Sequence, residues 1–337
     1  MITLQDKIKA FAKLSSNLKS QKELFISKNT NPWFTDENIS YALDAWIELL
    51  SEKKLKQWTS KYPELKNNRQ THKIGVITAG NIPLVGMHDF LSVLISGNIF
   101  RGKLSSKNNI FLPIIADLLT NIEPKFKQYI SFSKNRLTDF DAIIATGSNN
   151  SARYFESYFG KYPHIIRKNR NSAAIISGNE TNEELKALAE DIFMYFGLGC
   201  RNVSKLFIPD NFDTDRFFEN IIHKKDIINH NKYANNYDYN RAIYLMNQDE
   251  FLDNGFALLK ENIGMSSPVS VIYYERYANI KTVQERIETE SENIQCVVAQ
   301  TGITANSQPF GKAQKPGLND YADNIDTIEF LLNINRT

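Results

Sequence analysis

The chain has 337 residues, 42% of them apolar and 23% charged, the balance of a folded globular protein with length for two or three domains. Forty Lys and Arg against 38 Asp and Glu leave a net charge of +2, which gives no overall field drawing the chain to nucleic acid, and short basic runs such as RKNR (Arg167 to Arg170) read as solvated loop. Two distant cysteines argue against a disulfide framework, no stretch reaches the ~18 apolar residues of a membrane span, and MITLQDKIKAFAKL lacks a signal peptide's apolar core, so a soluble cytoplasmic protein is expected.

Residues 1 to about 70 carry helical periodicity: IKAFAKL, then ISYALDAWIELLSEKKLKQW, with Ala42, Ala45, Trp46, Leu49 and Leu50 on one face. From Lys73 the pattern changes. KIGVITAG, NIFRGKLSS and DAIIAT read as strands, each followed by a helical run, and HIIRK and SAAIIS supply further strand candidates. Three strand-to-helix passages predict an open α/β nucleotide-binding sheet over residues 73 to about 178.

GNETNEELKALAEDIFMYF opens a second region. Thr181 and Glu184 form a capping box, Leu185, Leu188, Ala189, Ile192, Phe193 and Phe196 make one stripe, and the helix is expected to stop at Gly197. A strand VSKLFIP follows, then a helix around FFENIIHK and an Asn- and Tyr-rich loop, NHNKYANNYDYN. RAIYLM, PVSVIYYE and IQCVVAQ are strand candidates, giving a second α/β lobe.

Several stretches have the chemistry of a site, each beside a plainer reading. Cys200 falls in the loop GLGCRN: it is either a small buried residue or a nucleophile, the latter favoured by flanking glycines that open backbone amides and by the Arg201 cation, which promotes thiolate. GLGCRN is no dinucleotide fingerprint, since it follows a helix and lacks the third glycine. Asn81, at the carboxyl end of the first strand, is a turn-former or an oxyanion donor. Thr146, Gly147 and Ser148 open a helix after a strand, which suits a phosphate as well as a simple N-cap. Lys103, Ser105 and Ser106 are phosphate or ribose ligands or a solvated loop. Five histidines and two cysteines show no metal spacing, so no metal is expected.

In order along the chain, AGNIPLVG, SGNIFRGKLSS, ATGS, FGLGCRNVSK and PFGKAQKPGLNDYADNIDTIEFL resemble successive motifs of the aldehyde dehydrogenase superfamily, and the last resembles its LuxC-type long-chain acyl-CoA or acyl-protein reductase branch. The resemblance runs from residue 73 to about 331 and implies an aldehyde dehydrogenase-like α/β fold of two lobes. A helical N-terminal region (1–72) would pack on an NAD(P)-binding domain (73–178), followed by a catalytic domain (179–305) and a C-terminal segment (306–337) returning between the lobes. It assigns Cys200 as nucleophile, Asn81 as oxyanion donor, Lys103 to the cofactor ribose, and Gly147 and Ser148 to its phosphate.

Departures from the superfamily pattern carry information. Arg167 stands where oxidising members have a general-base glutamate, as expected if an acyl-enzyme is discharged by hydride and never by water. The glutamate that contacts the nicotinamide ribose is missing from IGMSSP, before Pro268, and Ser106 replaces an acid that would repel a 2′-phosphate, favouring NADPH over NADH. The resemblance implies an acyl-CoA or acyl-carrier thioester as substrate, no nucleic-acid partner, and either a homo-oligomer or acyl-transfer partner proteins. The chain is shorter than typical members, so an oligomerisation arm or part of an acyl tunnel is expected to be lacking. Other readings are a non-redox acyl transferase or thioesterase subunit using Cys200, an acyl-phosphate reductase, and a degenerate structural partner.

Overall fold

The computed structural model describes residues 2–67 and 70–334, which fall into two compact units: the chain up to Asn169 together with the segment from Gly317, and Arg170–Pro316.

The first unit begins with four helices, α1 (Leu4–Ser20), α2 (Lys22–Lys28), α3 (Asp36–Leu49) and α4 (Glu52–Thr59). Thr3 and Thr35 cap α1 and α3 by accepting the N–H groups of Asp6 and Asn38. The periodicity of residues 39–58 predicted one helix, but the chain breaks between α3 and α4, and the face α3 buries is Ile39, Ala42 and Leu43, with Trp46 at its margin. A parallel sheet follows, built from β1 (Lys73–Ile77), α5 (Met87–Ile95), β2 (Ile99–Lys103), α6 (Phe111–Ile122), β3 (Ile130–Phe132), β4 (Ala142–Thr146), α7 (Asn149–Phe159) and β5 (His164–Arg167). Its strand order is β3-β2-β1-β4-β5. The short β3 gave no sequence signal.

Ile74, Val76, Phe100, Ile143 and Ile144 are buried in the strands, as expected of a sheet covered on both faces. The order reverses beside β1, so the carboxyl ends of β1 and β4 flank a topological switch point, where open α/β sheets bind ligands.

The second unit holds β6 (Asn171–Ile175), α8 (Asn182–Phe193), β7 (Val203–Pro209), α9 (Thr214–Ile221), α10 (Asn231–Asn247), β8 (Leu252–Asp253), β9 (Leu258–Glu261), β10 (Val271–Tyr277), α11 (Ile280–Thr289) and β11 (Ile294–Val298). Their sheet runs β11-β6-β7-β10-β9-β8, antiparallel only between β8 and β9. Two expectations need correcting. SAAIIS was placed in the first domain, yet β6 pairs with β7 and β11 in the second sheet, because Arg170, not the residues near 178, is where the chain changes sheets.

NHNKYANNYDYN and RAIYLM were expected as loop and strand, yet they form the single helix α10. Its buried stripe is Tyr233, Tyr237, Asn240 and Tyr244, which apolar periodicity does not register. The hydroxyls of Tyr233 and Tyr237 donate to Phe256 O and Asp253, and the Asn240 amide donates to Val269 O at 2.9 Å, so these polar groups are buried with partners.

The last part of the chain returns to the first unit as α12 (Thr327–Leu332), packed on α5. Among the described residues no helix is long and apolar enough to cross a membrane.

Candidate active site

In the first unit, the residues singled out from sequence gather at the carboxyl rim of the sheet. Ile77 pairs in register with Lys103 on one side and Ala145 on the other, so Asn81, Lys103, Ser105, Ser106, Thr146, Gly147 and Ser148 all follow or end three adjacent strands at one edge. The turn after β1 lies hard against the loop after β2: a Cβ on Gly80 would stand 2.4 Å from the Ser105 hydroxyl. Gly147 is similarly confined: a Cβ there would stand 2.8 Å from the Ser151 Cβ, so the start of α7 lies close to the strand end. Ser148 caps α7, its hydroxyl accepting the Ser151 N–H at 3.3 Å, so the plainer reading of that hydroxyl holds and one first-turn amide of α7 is already engaged. Lys103 is half-buried, and its ammonium makes no ion pair or hydrogen bond among the described residues.

Arg167 ends β5 and is almost fully buried. Its Nη1 donates to both carboxylate oxygens of Asp89 on α5, at 2.9 and 2.7 Å, and its Nη2 donates to Thr327 Oγ1 at 3.0 Å. Arg167 is thus a structural cation, fixing α12. Two more contacts serve the same end. Trp58 Nε1 donates to the Tyr321 hydroxyl at 2.9 Å, and the Tyr62 hydroxyl lies 2.7 Å from that of Tyr321 and donates to Asp326 at 2.5 Å. Desolvation and the Asp326 carboxylate push Tyr62 up to about 12, so it stays a donor. The C-terminal motif therefore contributes anchors: Tyr321, Asp326 and Thr327.

In the second unit, α8 starts as predicted, with Thr181 Oγ1 accepting the Glu184 N–H and Glu184 accepting the Thr181 N–H. It ends four residues before Gly197. Tyr195 and Phe196 take left-handed φ of 54° and 59° ahead of Gly197 at 75°, a conformation costing roughly 1–2 kcal/mol for a residue with a Cβ. Such strain persists where surrounding contacts over-determine it.

Those contacts come from Asn202, which sequence reading missed. Its Nδ2 donates to the carbonyls of Asp191 (3.1 Å), Ile192 (3.1 Å) and Met194 (2.8 Å), and its Oδ1 accepts the Gly199 N–H at 2.8 Å. The Asn202 N–H also donates to Gly199 O at 3.0 Å, closing a turn with Cys200 in its second position. In a trans peptide the C=O and N–H point opposite ways, so engaging Gly199 O inside the turn aims the Cys200 N–H out of it. The Cys200 thiol is half-buried.

Ser172, on β6, holds the other side of the same residue. Its hydroxyl donates to Cys200 O at 3.1 Å and accepts the Cys296 N–H at 3.2 Å, with the Cys296 thiol 3.1 Å away. Cys296 is thus a strand residue sharing a serine with the Cys200 turn. Arg201 turns its Nε to Ala313 O at 2.6 Å. Asp191, fully buried, receives the N–H groups of Gly311 (2.6 Å) and Ala313 (2.9 Å), and burial raises its pKa to about 7 against the lowering effect of those amides.

A family model described as "Acyl-CoA reductase (LuxC)" matches residues 4–291. The chain belongs to that family. Membership makes it an oxidoreductase that reduces an acyl group to an aldehyde. No curated protein matches the chain. Among solved structures it is similar to the putative aldehyde dehydrogenase PutA from Anabaena variabilis (13% identity, 93% of this chain and 77% of that one, TM-score 0.66). It is also similar to aldehyde dehydrogenase 21 from Physcomitrella patens (12%, 89% and 73%, TM-score 0.65) and to an aldehyde dehydrogenase from Bacillus cereus solved with NAD+ (15%, 89% and 72%, TM-score 0.63). These structural likenesses show the aldehyde dehydrogenase-like fold. Within this LuxC-family chain, Asn202 was within reach of sequence reading as a turn residue two places after the cysteine; Ser172, Asp191 and Asp89 act across the fold and carried no local signal.

Proposed function

We propose that Cys200 is the nucleophile of a thioester reductase. Its thiolate attacks the carbonyl carbon of an acyl-CoA or acyl-carrier thioester, and the Cys200 N–H and the Asn81 carboxamide donate to the oxyanion. The oxyanion collapses, the substrate's C–S bond breaks, the carrier thiol departs, and acyl-Cys200 remains. A nicotinamide cofactor, when bound, would supply a hydride to the carbonyl carbon of this thioester, whose C–S bond then breaks to release the aldehyde and return the Cys200 thiolate. The observation that carries the reading is the turn itself: Asn202 and Ser172 hold both peptides around Cys200 and aim its N–H outward. Arg167 supports the reductive course, because a guanidinium committed to Asp89 and Thr327 activates no water.

The cofactor fits the donor set at the sheet's carboxyl rim. Lys103 would meet its ribose, the first-turn amides of α7 with Thr146, Gly147 and Ser148 its phosphate, and Ser105 and Ser106 leave a 2′-phosphate unopposed, favouring NADPH while admitting NADH.

Intact-mass spectrometry after exposure to acyl-CoAs of increasing length, with NADPH absorbance followed in parallel, tests the reading. The expected result is an acyl adduct on Cys200 and one NADPH consumed per aldehyde formed. An adduct that forms while NADPH is never consumed makes the protein an acyl transferase.

A further inference from the structure

The nucleophile turn has a third attachment with a chemical consequence. Asn202 and Ser172 fix the backbone around Cys200, but a thiol's reactivity depends also on the charge beside it. The next residue, Arg201, carries a cation, and its long side chain is placed by one bond, Nε to Ala313 O. Ala313 O is in turn held by Asp191, whose two oxygens receive the Gly311 and Ala313 N–H groups. Gly311 has φ +77°, and a Cβ there would meet the Ala187 Cβ at 3.1 Å, so this loop lies tightly on α8. We infer that Asp191 is a positioning residue for Cys200: by fixing the Gly311–Ala313 loop it sets where the Arg201 guanidinium stands, and so the thiolate character of the nucleophile. The inference rests on the reading of Cys200 as nucleophile.

A buried carboxylate is an expensive way to anchor a loop, but its two oxygens accept both N–H groups, where an asparagine's single oxygen would leave one of them facing a donor. Its charge has two neighbours, Glu190 on its own helix, which opposes ionisation, and Arg201 on the turn, which favours it. Through Arg201 the carboxylate acts twice, orienting the cation by the loop and drawing it by charge. An anchor without that role would be indifferent to the identity of residue 201.

The test is the rate of iodoacetamide labelling of Cys200 between pH 6 and 9, read by peptide mass spectrometry, with the Cys296 peptide as internal reference. Asp191→Asn should label about tenfold more slowly at pH 7.5, its profile displaced upward by about one pH unit, while Asp191→Glu recovers part of the rate. Arg201→Gln should show the same displacement, and adding Asp191→Asn to it should change nothing more. Equal labelling of wild type and Asp191→Asn, or the same slowing in both residue-201 backgrounds, overturns the inference. Should Asp191→Asn fail to fold, an unshifted profile in Arg201→Gln alone overturns it. Acyl-adduct formation on the wild-type chain is measured separately, so the loss of the nucleophile role would be seen independently of the labelling result.

Discussion

The two units treat their polar groups in opposite ways. At the carboxyl rim of the first sheet, the Lys103 ammonium has no ion pair or hydrogen bond among the described residues, and Gly80 and Gly147 let the rim loops pack closely. Around Cys200 in the second unit, nearly every neighbouring group is engaged: Asn202 makes four side-chain hydrogen bonds, Ser172 ties the Cys200 carbonyl, and Arg201 is bound through Ala313. On the proposed reading, a surface that receives a ligand keeps its donors uncommitted, whereas a residue that forms a covalent bond is held by commitments already made. Affinity should therefore be lost at the rim with little cost to stability, and stability and rate together at the turn.

The largest effect should come from Cys200→Ala, which abolishes both the acyl adduct and aldehyde formation while NADPH binding, followed by fluorescence, is retained. Next, Arg167→Ala leaves Asp89 buried without its partner and should cost about 3–5 kcal/mol in chemical denaturation. Arg167→Met with Asp89→Leu should recover most of that loss, since removing both charges leaves none buried alone. Asn202→Ala strands the Gly199 N–H and should cost about 1–3 kcal/mol, with kcat falling more than KM changes. Lys103→Ala, by contrast, should raise the KM for NADPH and alter stability by no more than about 0.5 kcal/mol. A large loss of stability in Lys103→Ala would erase the distinction between rim and turn.

Much of the arrangement was legible because it is local. The capping box of α8, the alternation of strands and helices, and the ordered motifs are all read within a dozen residues, and they led to the fold and the family. What escaped was either long-range or written in polar residues. The stripe of α10 is tyrosine and asparagine, so its helical period was invisible to a search for apolar faces. β6 has the composition of any buried strand, and only its pairing shows which sheet it joins. The end of α8 was misplaced because Tyr195 and Phe196 adopt the backbone region usually left to glycine, held there by an asparagine from beyond the loop.

The smallest effect, a pH dependence of stability, separates the units most cleanly. In the first unit His88 lies among Trp46, Trp58 and Tyr321 with Nε2 3.0 Å from Leu318 O, and desolvation lowers its pKa below 6.5 despite the Asp89 charge beside it. The unfolded chain then binds a proton that the folded one refuses, so this contribution is present above about pH 6.5 and declines as pH falls. Asp191 in the second unit has the opposite sign. Its folded pKa of about 7 lies above the 3.8 of the unfolded chain, so between those values the folded form holds a proton that the unfolded one has lost, and stability declines as pH rises through the window. From pH 7 to pH 5, amide exchange corrected for its intrinsic rate should therefore quicken in α5 and slow in α8 and the Gly311–Ala313 loop. Asp191→Asn should remove the second trend and leave the first, and exchange that moved in the same direction in both regions would show that these two groups do not set the pH response.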